Sequence, residues 1–322
     1  MSKKDNPLEN VAIFSGNANK QLAKKICQHL GVKLKPALVK IFTDGENQIK
    51  IQDNIRRKEV YLIQPTCPPV DHNFMQLCIM IDALRRASAE TITAVVPYFG
   101  YARQDKKTEP RVPISAKLAF DFIVTAGANR IITMDLHAVQ CAGFVNIPVD
   151  NLYAEPAIVE YIKKNFSLDN LMLASTDVGG AARTRSYAKR LGVDIAVIDK
   201  RRPEPNKSEV MNIVGDVKNK IVILVDDIID TAGTLVGGAD AVKQAGALEV
   251  HAVCTHPVFS GPAINRITES VLSSIAVTNT IPLRAKAKAC PKIKIVGVSW
   301  WIGEAIRRTH TGESLTDLFA SS

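Results

Sequence analysis

The feature that most limits what this chain can fold into is a rhythm. Short apolar runs rich in valine and isoleucine recur along it, each stopped by glycine or polar residues and each followed by residues with helical spacing. A run that is apolar at every position suits a strand buried on both faces, and its alternation with helices marks parallel strands joined by crossover helices. The predicted strands are 11–15, 37–42, 60–64, 92–97, 130–134, 171–175, 195–198, 221–225, 250–255, 274–277 and 293–298. One clear helix is expected over 74–87, where Leu77, Met80, Ile81 and Leu84 form a stripe behind the capping candidates Asp71 and Asn73. Another is expected over 235–245, and 301–319 reads as a helix with a short extension whose two tryptophans are packing residues.

A chain of 322 residues exceeds the usual single core and fits two α/β domains of about 150 residues. The stretch 148–156, with two prolines, separates two similar strand-helix series. The expected division is therefore 1–152 and 153–301, with the tail 302–322 packing on the first. With 46% hydrophobic and 23% charged residues, the chain is neither disordered nor collagen-like.

The charged N-terminus lacks the apolar middle of a secretion signal, and no run reaches the roughly 18 to 20 apolar residues that span a bilayer. A cytoplasmic protein with no membrane partner is expected. The six cysteines are scattered without a C-x-x-C pair, which argues against a zinc site and a disulfide framework. A net charge of +9 is compatible with nucleic acid, an acidic membrane or small polyanions. The basic residues are dispersed and do not alternate with aromatics, which argues against nucleic acid.

The most informative stretch runs from Lys220 to Thr234. Five consecutive apolar residues, Ile221 to Val225, make a buried strand, and Asp226 and Asp227 stand at its carboxyl end. In open α/β sheets that edge binds ligands. The turn Asp230-Thr231-Ala232-Gly233-Thr234 opens a helix, so its backbone N–H groups have no intrahelical partners and can cradle a phosphate. Gly233 permits close approach, Thr231 and Thr234 offer hydroxyls, and the paired carboxylates can accept hydrogen bonds from ribose hydroxyls. An ordinary strand end with a helix cap would use some of the same residues; the combination suits a sugar phosphate. The segment closely resembles the phosphoribosyl-pyrophosphate motif shared by phosphoribosyltransferases and ribose-phosphate diphosphokinases. That resemblance implies two phosphoribosyltransferase-like domains, each a mainly parallel sheet flanked by helices, and assigns 226, 227 and 230–234 to ribose 5-phosphate.

Five further stretches separate synthesis of this compound from its use. The loop from Tyr98 to Arg111 carries Arg103, Lys106, Lys107 and Arg111; so charged a loop packs poorly and is expected to stay mobile until polyphosphate arrives. It resembles the catalytic loop of the diphosphokinases, in which the residues matching Arg103 and Gln104 contact ATP. The string Met134-Asp135-Leu136-His137-Ala138-Val139-Gln140 follows a strand, and strand alternation would place Asp135 and His137 on one side. A histidine ligand to magnesium is unusual, yet the string resembles the family signature in which the matching histidine holds the metal.

In Ser175-Thr176-Asp177-Val178-Gly179-Gly180 the backbone amides of a strand-to-helix turn can hold pyrophosphate while Asp177 reaches a bridging metal. Family members usually have proline where this chain has Thr176. Asp199-Lys200-Arg201-Arg202-Pro203 resembles the segment in which the lysine matching Lys200 is catalytic and the arginine matching Arg202 binds substrate phosphate. Phe42-Thr43-Asp44-Gly45-Glu46 resembles a stretch that contacts ATP from a neighbouring subunit. The resemblance covers nearly the whole chain, to the tail Arg307-Arg308-Thr309-His310-Thr311-Gly312-Glu313-Ser314.

These matches imply transfer of pyrophosphate from ATP to the 1-hydroxyl of ribose 5-phosphate. Mg2+ would be held by His137 and Asp177 with Asp135 in support, while Lys200, Arg202 and Arg103 neutralise developing charge. They also imply a homohexamer regulated by phosphate and ADP through Arg56, Ser88, Arg111 and Ser314. Asn54 and Ala142 depart from the common serine and glutamine there. Two other readings remain: a silent regulatory subunit, against which the uninterrupted 103–111 loop and Lys200 argue, and a phosphoribosyltransferase, which would not need the ATP loops.

Overall fold

The computed structural model describes residues 8–201 and 210–320. The chain divides into two compact units: one ends at Tyr153 and takes in Thr280–Pro282 and the segment from Val298 onward, and the other comprises Ala154–Asn279 with Leu283–Gly297.

The first unit runs β1 (Val11–Ser15), α1 (Lys20–Leu30), the antiparallel hairpin β2 (Ala37–Ile41) and β3 (Asn47–Ile51), β4 (Glu59–Ile63), α2 (Val70–Arg86), β5 (Thr91–Val96), α3 (Ser115–Ala126), β6 (Arg130–Met134) and β7 (Val149–Leu152). Its described strands form a five-stranded parallel sheet in the order β1-β4-β5-β6-β7. Alternate residues Ala12, Phe14, Val60, Leu62, Ile92, Ala94 and Val96 share a core with Phe74, Leu77 and Ile81 of α2 and Phe120 and Ile123 of α3. Phe99 stacks on Phe120 with ring centroids 4.3 Å apart. Such buried aromatic and branched side chains each contribute roughly 1.5–3 kcal/mol on leaving water.

In the second unit the order is α4 (Glu155–Asn165), β8 (Leu171–Ser175), α5 (Ala181–Leu191), β9 (Asp194–Arg201), β10 (Val210–Val214), β11 (Ile221–Ile229), α6 (Gly233–Gln244), β12 (Glu249–Pro257), α7 (Ala263–Glu269), β13 (Ser274–Thr278), α8 (Ala285–Ala289) and β14 (Ile293–Val296). The tail that returns to the first unit carries α9 (Ser299–Thr311) and α10 (Thr316–Ala320). The second sheet is ordered β10-β9-β8-β11-β12-β13-β14 and is parallel except where β10 meets β9. Leu235, Ala239 and Val242 of α6 and Ala263 and Ile267 of α7 bury against Ala174, Leu224, Val250 and Ile275. Helix α5 contacts β8, β9 and β11.

That order contains a reversal. From β8 the chain moves one way to β9, and from β11 it moves the other way through β12, β13 and β14. Right-handed crossovers running in opposite directions leave no connection over the carboxyl ends of β8 and β11, and a crevice opens there. The first sheet follows chain order without a reversal.

Several expectations need correction. Helix α2 starts at Val70 after an N-cap Pro69 that makes no side-chain cap bond. Asp71 lies in its first turn, and Asn73 donates instead to the Cys67 carbonyl at 2.7 Å. Strands β3, β7 and β10 were not predicted, and β11 extends to Ile229, through both carboxylates. Trp301 does pack, stacking on Phe319 with centroids 6.1 Å apart, while Trp300 remains 46% exposed. All six cysteines are free thiols. No described helix is long and apolar enough to cross a membrane.

Candidate active site

The crevice of the second unit is built from the two loops that follow β8 and β11. The strands pair in register up to Val225 and Ser175, so the next residues, Thr176 and Asp226, stand side by side where β8 ends and β11 runs on beside β12. Thr176, 1% exposed, donates its hydroxyl to Asp226 Oδ2 at 2.9 Å. Asp226 Oδ1 accepts from the Asp227 backbone N–H at 2.9 Å. Asp227 is buried and pairs with Arg183 of α5, Nη1 to Oδ1 3.1 Å.

Two adjacent carboxylates in a half-buried crevice resist ionising together. Burial, followed by the charge of Asp227, pushes Asp226 up to about 7. Cys254 lies beneath the pair, donating Sγ–H to the Asp227 carbonyl at 3.2 Å, and burial pushes its thiol well above the usual range.

The turn after β11 opens helix α6. Ala232 takes a left-handed φ of 60° and caps α6 without any side-chain bond. The first helical hydrogen bond from this turn is Val236 N–H to the Ala232 carbonyl, 3.0 Å. The preceding N–H groups of Gly233, Thr234 and Leu235 are the orphans that a helix start leaves for an anion. Thr231, Gly233 and Thr234 are exposed, and the backbone carbonyl of Asp230 accepts from Ser260 N–H at 2.9 Å. Arg266 donates to the Thr231 carbonyl at 3.0 Å and stands 3.2 Å from where a Gly233 Cβ would be.

The other loop turns through Asp177, whose Oδ1 accepts from Gly180 N–H at 2.7 Å. Ser175 Oγ donates to the Asp177 carbonyl at 2.5 Å. A Cβ on Gly180 would lie 2.8 Å from that hydroxyl, so the close turn requires glycine. Asp177 Oδ2 makes no hydrogen bond with a described residue and is available to a cation. The expected residues of the two loops, 177, 179 and 180 with 226, 227 and 230–234, are thus brought to one sheet edge. Lys200 lies near the end of β9, but its side chain and all of Arg202 fall outside the described residues.

In the first unit, Gly100 roots the charged loop: its N–H donates to Thr66 Oγ1 at 2.6 Å, and a Cβ there would meet the Thr66 carbonyl at 2.6 Å. Arg103 and Gln104 are exposed beyond that root, and Ala116 N–H donates to the Gln104 carbonyl at 3.1 Å. Gln140 Nε2 donates to Asp105 Oδ2 at 2.5 Å, tying this loop to the one after β6. There the expected strand alternation fails. Asp135 has a φ of 44° and is 8% exposed, whereas His137 is exposed, so the two do not share a side by strand geometry. Asn151 Oδ1 accepts from Leu136 N–H at 3.0 Å and fixes the turn between them.

Phe42, Asp44, Gly45 and Glu46 form the β2–β3 turn, with Phe42 N–H donating to the Glu46 carbonyl at 2.8 Å and Gly45 at a φ of 98°. Arg57 N–H donates to the Ser88 carbonyl, and His310 Nδ1 lies 2.9 Å from Glu59 Oε2. These bonds bring the segment of Arg56 and Ser88 to the tail, where Arg308 donates to the Ser314 carbonyl at 2.8 Å. Arg111 is exposed in its loop with a φ of 67°. Among the described residues no three His, Cys, Asp or Glu side chains group as a metal cage. Arg183 and Arg266 were missed in the sequence; only their placement in the first turn of α5 and on α7 reveals them.

Residues 11–127 match the family model described as the N-terminal domain of ribose phosphate pyrophosphokinase. Residues 200–320 match the phosphoribosyl synthetase-associated domain. A ribose-phosphate pyrophosphokinase of Xanthomonas campestris pv. campestris is 52% identical over 312 residues, covering 96% of this chain and 98% of that protein. One from Campylobacter jejuni is 53% identical over 308 residues, covering 95% and 98%. The crystal structure of phosphoribosylpyrophosphate synthetase from Mycobacterium smegmatis superposes with a TM-score of 0.89 at 35% identity, covering 94% of this chain and 100% of that one.

Proposed function

Because this chain belongs to the ribose-phosphate pyrophosphokinase family, we propose that it transfers the pyrophosphoryl group of ATP to the 1-hydroxyl of ribose 5-phosphate, releasing AMP. The observation that carries this reading is the pairing, at one sheet edge, of an uncapped helix start with two adjacent carboxylates. The 5-phosphate binds the N–H groups of Gly233 and Thr234 with the Thr231 and Thr234 hydroxyls, and Asp226 and Asp227 accept from the ribose hydroxyls. A bond forms between the ribose 1-oxygen and the β-phosphorus as the bond from that phosphorus to the oxygen bridging the α-phosphate breaks, and the proton of the 1-hydroxyl passes to solvent. AMP leaves with the bridging oxygen. Positioning and charge stabilisation supply most of the acceleration in such transfers.

Lys200, Arg202 and Arg103 supply positive charge, and Gly179 and Gly180 present backbone amides to pyrophosphate. The ATP contacts are Arg103, Gln104, Phe42, Asp44, Gly45 and Glu46. Mg2+ commonly binds through one or two carboxylates, with water and substrate phosphates completing its shell, and Asp177 with its available oxygen fits that donor set. In the first unit, His137 and Asp135 are the residues to which the same role falls. When bound, the ion would neutralise charge on the polyphosphate oxygens. Domains of 1–152 and 153–301, a cytoplasmic homohexamer, and phosphate and ADP acting at Arg56, Ser88, Arg111 and Ser314 belong to the same proposal.

The test is AMP formation from ATP and Mg2+ with and without ribose 5-phosphate. Sugar-dependent AMP release supports the reading. Its absence in a folded chain refutes it, as a phosphoribosyltransferase or a silent regulatory subunit would give none.

A further inference from the structure

We propose that Thr176 is a positioning residue for the sugar: its hydroxyl reaches across from the β8 loop and locks the Asp226 carboxylate in the orientation that receives the ribose hydroxyls. The inference rests on the reading of the β11 loop as the ribose 5-phosphate site.

The geometry is specific to this pair. Thr176 is buried, and its hydroxyl donates to Asp226 Oδ2, while the Asp227 N–H donates to Oδ1, each at 2.9 Å. A carboxylate held at one oxygen can still turn about its Cβ–Cγ bond; held at both, by one donor on the β8 loop and one on β11, it cannot. Each oxygen accepts about two hydrogen bonds, so a carboxyl group held this way, with the Asp227 side chain beside it, has its orientation fixed before any ligand arrives. Preorganisation of this kind acts on binding, because the ordering cost is met in the free protein. The bond joins the β8 loop directly to β11, which approach here because the strand order reverses.

The neighbouring carboxylate is held differently. Asp227 is fixed by Arg183, so loss of the Thr176 hydroxyl loosens Asp226 first and leaves the Arg183 pair in place. A defect confined to the sugar, with the polyphosphate loop intact, is the signature of that role.

The experiment uses Thr176→Val and Thr176→Ser in the full-length protein, with KM and kcat measured for both substrates. Val removes the hydroxyl at constant shape; Ser restores it. Thr176→Val should raise the KM for ribose 5-phosphate about five- to tenfold, the range expected for one lost hydrogen bond. Its kcat and KM for ATP should stay within about twofold, and Thr176→Ser should lie close to wild type. In an Asp226→Asn background, Thr176→Val should add little further. A KM for ribose 5-phosphate within twofold of wild type in a folded Thr176→Val protein overturns the inference, as does an equal rise in both KM values that Ser fails to rescue. A wild-type chain that makes no sugar-dependent AMP overturns the functional reading and this inference with it.

Discussion

Arg183 Nη1 lies 3.1 Å from Asp227 Oδ1, so the two consecutive carboxylates of β11 stand in different electrostatic surroundings. Asp227 is 4% exposed and pairs directly with a cation, whereas Asp226 takes the Thr176 hydroxyl and the Asp227 N–H and carries the charge of Asp227 beside it. Removing one partner of a buried pair strands the other charge and costs about 3–5 kcal/mol; the Arg183 side chain is 27% exposed, which reduces the figure. Arg183→Ala should therefore lower stability by about 2 kcal/mol, read from urea unfolding at neutral pH. An unchanged midpoint would show the pair to be inert.

Asp226 gives a pH-dependent counterpart. Its carboxyl is raised from 3.8 to about 7 by burial and by Asp227, so the folded protein binds a proton there that the unfolded chain releases. Stability from this group is complete below about 4 and is lost as pH rises towards 7. Asp226→Asn should thus stabilise the protein at pH 8 by on the order of 2 kcal/mol, with a much smaller gain at pH 4. Thermal melts of both proteins at the two pH values check the sign; an equal shift at both would exclude the mechanism.

Lys200→Ala should cut sugar-dependent AMP release a hundredfold or more, because a preorganised cation at developing negative charge is worth about 3–4 kcal/mol. Circular dichroism and melting temperature should match wild type. Near-normal turnover would remove Lys200 from the reaction.

Gly180→Ala places a methyl group 2.8 Å from Ser175 Oγ. Relief requires either that hydroxyl to leave the Asp177 carbonyl or the turn to open, and both disturb the Gly180 N–H that holds Asp177. A fall in kcat/KM of about tenfold or more is expected from displacements of this size. Steady-state kinetics decide it, with the ATP dependence the more affected.

Chelation offers a test at the level of the metal. EDTA should abolish AMP formation, and excess Mg2+ should restore it, since uncompensated polyphosphate charge opposes attack. Activity that survives exhaustive chelation would exclude the divalent ion.

Much of this was legible in the chain itself. The bounds of β1, β6 and β8 followed from apolar runs because buried parallel strands have no solvent face to interrupt them. β3 and β10 escaped because each is an antiparallel hairpin partner, and β3 alternates polar with apolar residues. The α2 caps failed for a tertiary reason: the Tyr101 hydroxyl takes Asp71, and the Cys67 carbonyl takes Asn73. The helix-opening turn at 230–234 was readable because its sequence signal lies within one turn. Arg183, Arg266 and the Thr176 to Asp226 bond were not, because each depends on which strands become neighbours. The turn at Asp135 escaped as well, since a positive φ in a non-glycine residue leaves no mark in the pattern.

The reversal of strand order between β8 and β11 also bears on how such a site can change over time. No connecting segment joins the two loops, so either can lengthen or exchange residues without rethreading the sheet. The Thr176 hydroxyl is one point at which the β8 side touches Asp226. Substitutions on the β8 side can therefore shift how the Asp226 carboxyl is held while leaving the turn at the start of α6 untouched.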